Sequence, residues 1–263
     1  MLLAVWDVLF LNRPALMLVV SGFFNTIILA TIVIVLTLIM AWITAIALHT
    51  LNQNNHKILY LCCIFLLNLF RSIPQILGVL LGYVVISLAI DNSLITAKPA
   101  IFVLLAFFIS TAIFLELVDL MRERIDHFRH TDFYNAMRVC GIAEFNIVNF
   151  NILWKNSRLH IFNKLISTFG TAIFLICSVD FVVSVGLSSD VNSTVMPTTL
   201  GNLLARIDSK QDILAVGYTL THPLYAGNLF FTHLQGITVA FLIVYTLLCL
   251  FMIANAYSQR HRL

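Results

Sequence analysis

Five stretches of this 263-residue chain are apolar for long enough to cross a bilayer: roughly 17–48, 58–90, 100–118, 161–187 and 236–257. The hydrocarbon core is about 30 Å thick and a helix rises about 1.5 Å per residue, so a span needs about 20 such residues. These runs explain why 60% of the chain is hydrophobic and only 10% charged, where a soluble domain carries about 25% Asp, Glu, Lys and Arg. No soluble core absorbs that much apolar surface, which excludes a soluble single-domain enzyme. The expected fold is all-α and integral to the membrane, one transmembrane domain over 1–263.

The second run is overlong: as one helix it would reach about 50 Å. Phe70-Arg71-Ser72-Ile73-Pro74 supplies a break, since proline removes a backbone donor and biases its predecessor away from helix. One continuous bent element is expected, and a pair of half-spans is the competing reading. Lys and Arg set the orientation. The middle loop, 119–160, holds Arg122, Arg124, Arg129, Arg138, Lys155 and Arg158, and the C-terminus holds Arg260 and Arg262. The positive-inside rule makes both cytoplasmic. Counting back through five spans puts the N-terminus and the stretch 188–235 outside, and splitting the second run would break that parity. The opening MLLAVWDVLFLNRP lacks a basic n-region and a small-residue cleavage site, so it reads as mature sequence forming a short interfacial segment.

Several functions leave no mark. The charges form no basic run interleaved with aromatics, so no nucleic-acid partner is expected. Cys62, Cys63, Cys140, Cys177 and Cys249 lie in or beside apolar stretches or in the charged middle loop, which argues against a disulfide framework. No Gly-x-x-x-x-Gly-Lys-Ser/Thr loop is present, so the chain has no phosphate-binding loop of its own.

The middle loop reads DFYNAMRVCGIAEFNIVNFNILWKNSRLHIFNKLI from Asp132, a helical pattern interrupted at Gly141 and followed by a short amphipathic turn. Glycine takes positive φ without steric cost, so a sharp turn is expected at Gly141. Ile142, Phe145, Ile147 and Val148 then form apolar knobs, offered to a protein partner or packed on the chain's own helix ends. Asn135-Ala136-Met137, Gly141 and Ile152-Leu153-Trp154 resemble the cytoplasmic EAA loop of type I ABC importer permeases, which runs Glu-Ala-Ala, three residues, Gly, then Ile-Leu-Pro. The sequence departs from it at Asn135, Met137 and Trp154. SGFFNTIILATIVIVLTLIMAWITAIAL is similar to the opening core helix of these permeases, LFRSIPQILGVLL to their next helix, and VDFVVSVGL with TLGNLLA to the end of the fifth element in the dipeptide, oligopeptide and nickel branch. The Arg-Ser-Ile-Pro segment also resembles the methionine and phosphonate branches.

The resemblance implies a five-span permease subunit in a bacterial inner membrane, forming half of a path for a small solute of the peptide or nickel-chelate class. It implies two ATP-binding subunits that carry ATP and Mg, a second permease, identical or related, and an extracytoplasmic substrate-binding protein. The coupling helix would run over about Ile142 to Val148, with Asn135, Ala136, Arg138, Gly141, Ala143 and Glu144 completing the contact with the ATPase. This chain would have no catalytic residue, metal or cofactor of its own.

Ionisable groups within a span cost about 2.5 to 3.5 kcal/mol on insertion scales and are functional candidates by default. Asp180, beside Ser178 and near Ser184, is a candidate lining of the path, or else bonds a neighbouring subunit or interfacial water. Asn25, Thr26, Asn68 and Gln75 line a path or bond across helices. Arg71, Glu116 and Asp119 read as interfacial. The outer stretch has a short helix at about 200–207, a docking surface for the binding protein or a re-entrant plug. Two other classes remain: a membrane scaffold whose loop only docks a partner, and an intramembrane metal enzyme using His127, His130 and Asp132, which lacks a His-Glu-x-x-His pair.

Overall fold

The computed structural model describes residues 13–53, 56–95, 97–186, 198–206 and 210–229, with a few positions between 244 and 256. The N-terminal segment ahead of Arg13 and most of the expected fifth span, 236–257, lie outside the described residues. What is described is helical: α1 (Arg13–Gln53), α2 (Lys57–Ser72), α3 (Gln75–Asp91), α4 (Lys98–Arg129), α5 (Asp132–Val139), the single turn α6 (Glu144–Asn146) continuing as a π-helical segment (Ile147–Asn156), α7 (Arg158–Gly186), α8 (Leu200–Arg206), α9 (Lys210–Thr221) and α10 (Ala226–Asn228). Three stretches are long and apolar enough to cross a membrane, Val20–Gln53, Lys98–Arg129 and Arg158–Ser184; the α2–α3 pair, bent by 91°, counts as a fourth if taken together.

The sequence boundaries need two corrections. The third span does not end near 118: α4 continues to Arg129, because Leu117, Val118, Met121 and Ile125 keep a helical apolar stripe buried through the charged run. The first part of the expected loop 119–160 is therefore helix. The second run is not one gently bent element. Ile73 is extended and Pro74 opens α3, and the two halves meet nearly at a right angle.

Side-chain pairings fix the relative heights of these helices. Met40 on α1 meets Ser110 on α4, and His49 meets Glu144 beyond the end of α4, so α1 and α4 run in the same direction. Gln75 at the start of α3 donates to Glu116 at 3.3 Å, while Tyr83 further along bonds Asp180 of α7. Lys164 near the start of α7 donates to Glu116 at 2.8 Å. Thus α3 and α7 run opposite to α1 and α4. One end of the bundle gathers the middle loop with its arginines; the other carries the α3–α4 turn and α8.

From Lys98 to Glu116 is eighteen residues, about 27 Å, close to the hydrocarbon thickness. The 17-residue α3 covers that same interval. In α2, by contrast, Tyr60 accepts a hydrogen bond from Arg122 and Arg71 pairs with Asp119, so its two ends sit at nearly one height. α2 lies across the bundle at the level where charges begin, and α3 runs along it.

Two packed layers of side chains hold the bundle. The half toward the α3–α4 turn is built from Leu29, Val33, Ile86, Ile101, Leu105 and Ile173. The half toward the middle loop is built from Ala41, Ala45, Leu48, Met121, Ile147 and Ile152. Between membrane helices, cohesion comes from close packing and interhelical hydrogen bonds, since lipid competes equally for apolar surface.

Candidate functional site

The middle loop folds into a compact hairpin under α1 and α4. α5 ends at Cys140, and Gly141 turns the chain with φ +77°, as the sequence predicts. A Cβ there would touch nothing within 4 Å, so glycine is required for its backbone conformation rather than for space. After the turn, the four expected knobs divide. Ile142 and Phe145 are 37% and 55% exposed, while Ile147 and Val148 are 0% and 1% exposed and belong to the core. The cause is the π-helical segment. Its wider turn, closed by bonds such as Ser157 N–H to the Ile152 carbonyl at 2.9 Å, drives Ile147, Val148, Ile152 and Leu153 into the bundle together.

Glu144 is held inside the chain. Tyr134 donates its hydroxyl to Glu144 Oε1, and His49 Nε2 lies 3.2 Å from the same oxygen. Burial, and then the Glu144 carboxylate, hold the Tyr134 phenol above its ordinary pKa, so it stays a donor at neutral pH. The Arg138 guanidinium sits 5.9 Å from the centre of the Tyr134 ring rather than beside Glu144. Trp42 of α1 donates to Asn149 at 2.7 Å. The turn is thereby fastened to α1 by two side chains and leads without a gap through the π segment into α7. Asn135, Ala136, Arg138, Ile142, Ala143 and Phe145 face outward on this hairpin.

The polar residues expected inside the spans separate into two groups. Asn68 is exposed on α2, and Gln75 bonds Glu116, so both belong to the charged end with the Arg71–Asp119 and Lys164–Glu116 pairs. Asn25, Asp180 and Ser184 gather at the opposite end around α8. Asn25 donates to the Thr198 carbonyl at 2.9 Å, and the Leu200 amide donates to Thr26 Oγ1 at 3.1 Å. Asn202 donates to Ser184 at 2.8 Å. Asp180, 6% exposed, accepts from both Tyr83 and Thr199. Ser178, two residues away and half-buried, lines an apolar groove on α7 instead.

Magnitudes show why Asp180 can be kept there. A carboxylate in a span costs about 2.5 to 3.5 kcal/mol, and each interhelical hydrogen bond in a membrane returns about 0.6 to 2 kcal/mol. Two hydroxyl donors offset a large part of the cost. The carboxylate joins α3, α7 and the approach to α8, and α8 lies against α7 so closely that a Cβ on Gly201 would stand 2.2 Å from the Cys177 carbonyl oxygen. Asn202 Oδ1 is the one polar atom of this cluster that is buried without a partner among the described residues. The hydroxyls of Tyr83 and Thr199 carry no signal in the sequence, because only the fold brings Tyr83, 97 positions from Asp180, and Thr199, 19 positions from it, onto one carboxylate.

His127, His130 and Asp132 do not converge. His130 Nδ1 pairs with the Asp126 carbonyl at 2.8 Å and His127 packs edge-on against Phe128. Among the described residues no group of three His, Cys, Asp or Glu is placed to hold a metal ion. Compared with protein-family models, curated proteins and solved structures, the chain matches none.

Proposed function

We propose that this protein is the permease subunit of an ATP-driven importer of the type I ABC class, forming half of a path for a small solute of the peptide or nickel-chelate class. It works with two ATP-binding subunits, a second permease and an extracytoplasmic binding protein, in a bacterial inner membrane with its arginine-rich end inside. One observation carries this reading: the Gly141 turn presents Ile142 and Phe145 to the outside while Glu144, between them in sequence, is fastened to His49 and Tyr134. A partner that grips the two apolar side chains moves a rigid piece, and the π segment and Trp42 pass that displacement to α7 and α1.

At the opposite end, α8 is hung on Asn25, Thr26, Asp180 and Ser184, residues of α1 and α7. Motion entering at the Gly141 turn therefore reaches α8 through the two helices that hold it, the requirement for a gate opened by a distant ATPase. Transport by this route needs no chemistry on the chain itself, only two arrangements of the helices with different access.

The test is to co-express the chain with candidate ATP-binding subunits, purify the assembly and measure uptake into vesicles that depends on a binding protein, against peptides, nickel chelates, methionine and phosphonates. Phe145→Asp is expected to abolish uptake while leaving the permease folded. Copurification with an ATPase whose turnover no solute or binding protein stimulates supports the scaffold class instead, and the lack of any copurifying ATPase removes the proposal.

A further inference from the structure

Where α1, the π segment and α7 meet, the surface opens into a groove of about 370 Å³ whose wall is almost wholly apolar. Leu38 and Leu165 form its upper part and Trp42, Trp154 and Phe162 its sides, with Arg158 at the foot. No carboxylate lines it. Arg158 is exposed and has no hydrogen bond or ion pair among the described residues. Lys155, three residues earlier and outside the groove's lining, is a second cation on this end, its ammonium lying 5.0 Å over the Phe150 ring.

The depth of the groove matches a lipid. Lys164 and Glu116 mark the height at which charge begins on α7 and α4. Leu165 lies on the apolar side of that level, and Arg158 lies about 10 Å from Leu165 along the helix on the polar side. The two indoles meet edge to face with centroids 6.3 Å apart, in the zone where tryptophan concentrates at membrane interfaces. An acyl chain fits the upper wall while a phosphate at the foot meets a guanidinium whose fork suits two phosphate oxygens.

We infer that this groove binds an anionic phospholipid of the inner leaflet, its phosphate on Arg158 with Lys155 adding to the field and one acyl chain between α1 and α7. Basic pockets between membrane helices on that face select such lipids. A zwitterionic lipid brings its own cation to the same place and gains less. The site lies directly beside the π segment, so an occupied groove braces the connection between the Gly141 turn and α7.

The experiment uses full-length protein carrying Trp6→Phe, so that Trp42 and Trp154 report, reconstituted in phosphatidylcholine vesicles. Brominated phosphatidylglycerol is titrated against brominated phosphatidylcholine at equal mole fraction, and indole quenching is read. Half-quenching is expected at a mole fraction at least three-fold lower for the anionic lipid. Arg158→Ala is expected to abolish that preference and Arg158→Lys to keep most of it, with unchanged circular-dichroism melting as the check on folding. Equal quenching by the two lipids in the parent protein overturns the inference without recourse to any variant. So does a preference that survives Arg158→Ala in a folded protein, or one that glycerol phosphate alone competes away, which would mark a free-phosphate site. A protein occupant would be revealed by loss of quenching by both lipids in the assembled complex, and that too overturns it.

Discussion

Asp180 and Gly141 are the two residues whose environments decide most. Asp180 is the acceptor for two buried hydroxyls, so Asp180→Ala leaves the hydroxyl hydrogens of Tyr83 and Thr199 without their acceptor at a cost of about 1 to 3 kcal/mol each. Asp180→Asn keeps one acceptor oxygen and is expected to fall between parent and Ala in thermal unfolding in detergent. If Asp180 instead contacts solute, Asn removes uptake while the unfolding temperature stays at the parent value, and the hydrogen-bond account fails. At Gly141 the φ of +77° makes torsion the whole issue, as nothing crowds the position. Ala costs about 1 to 2 kcal/mol there and Val more, whereas Asn, which tolerates this region, costs less. The expected order of unfolding temperatures is Gly, Asn, Ala, Val; an order that follows side-chain volume instead contradicts the torsional argument.

Among the elements, α2 departs most from the sequence expectation. Its residues are strongly apolar, yet none is buried, and Ile58, Leu61 and Phe65 are among the most exposed hydrophobic side chains described. Such a helix is stable only where lipid or another protein covers it, and its two polar ties, at Tyr60 and Arg71, keep both ends at one height. Nitroxides placed at Ile58, Phe65 and Leu69 in a background free of the native cysteines are expected to report depths within a few ångströms of one another. An upright α2 would separate the first and last by about 16 Å, which collision with oxygen and a nickel chelate resolves. α8 makes the complementary point. A seven-residue helix has little stability of its own, and it exists here because Gly201 lets it approach α7 and Thr26 caps the Leu200 amide. Gly201→Ala forces the backbones apart and is expected to cost about 1 to 3 kcal/mol, read as a lower unfolding temperature together with faster hydrogen exchange confined to α8.

At the scale of the whole molecule, the alternation of α1, α3, α4 and α7 puts the middle loop at one end and α8 at the other. Together with the arginines, this makes orientation a measurable consequence: Cys140, exposed on the hairpin, is expected to react with a membrane-impermeant maleimide in inverted vesicles and not in intact cells, when it is the sole cysteine. Labelling from the outside reverses the proposed topology and with it any cytoplasmic ATPase. The same arrangement puts the surface that would meet a motor and the polar cluster that holds α8 at opposite ends of the long helices. α1 and α7 are continuous helices over that distance, which suits them to carry a displacement without dissipating it.

Apolar helices long enough to cross a membrane, the break before Pro74 and the turn at Gly141 were legible from the sequence, because each follows from local physics: an apolar run long enough for hydrocarbon, a missing amide donor, a residue free to take positive φ. The role of each side chain within those helices was not. Ile147 and Val148 read as knobs like Ile142 and Phe145, and only the fold separates the buried pair, inside the π segment, from the exposed pair ahead of it. Asp180 read as a lone charge in a span, and only the packing of α3 and α8 supplies Tyr83 and Thr199. The apolar pattern states that a segment prefers lipid or protein to water, and it is blind to the choice between those two. That choice belongs to the tertiary structure, where packing density and the matching of buried donors to acceptors depend on residues far apart in the chain.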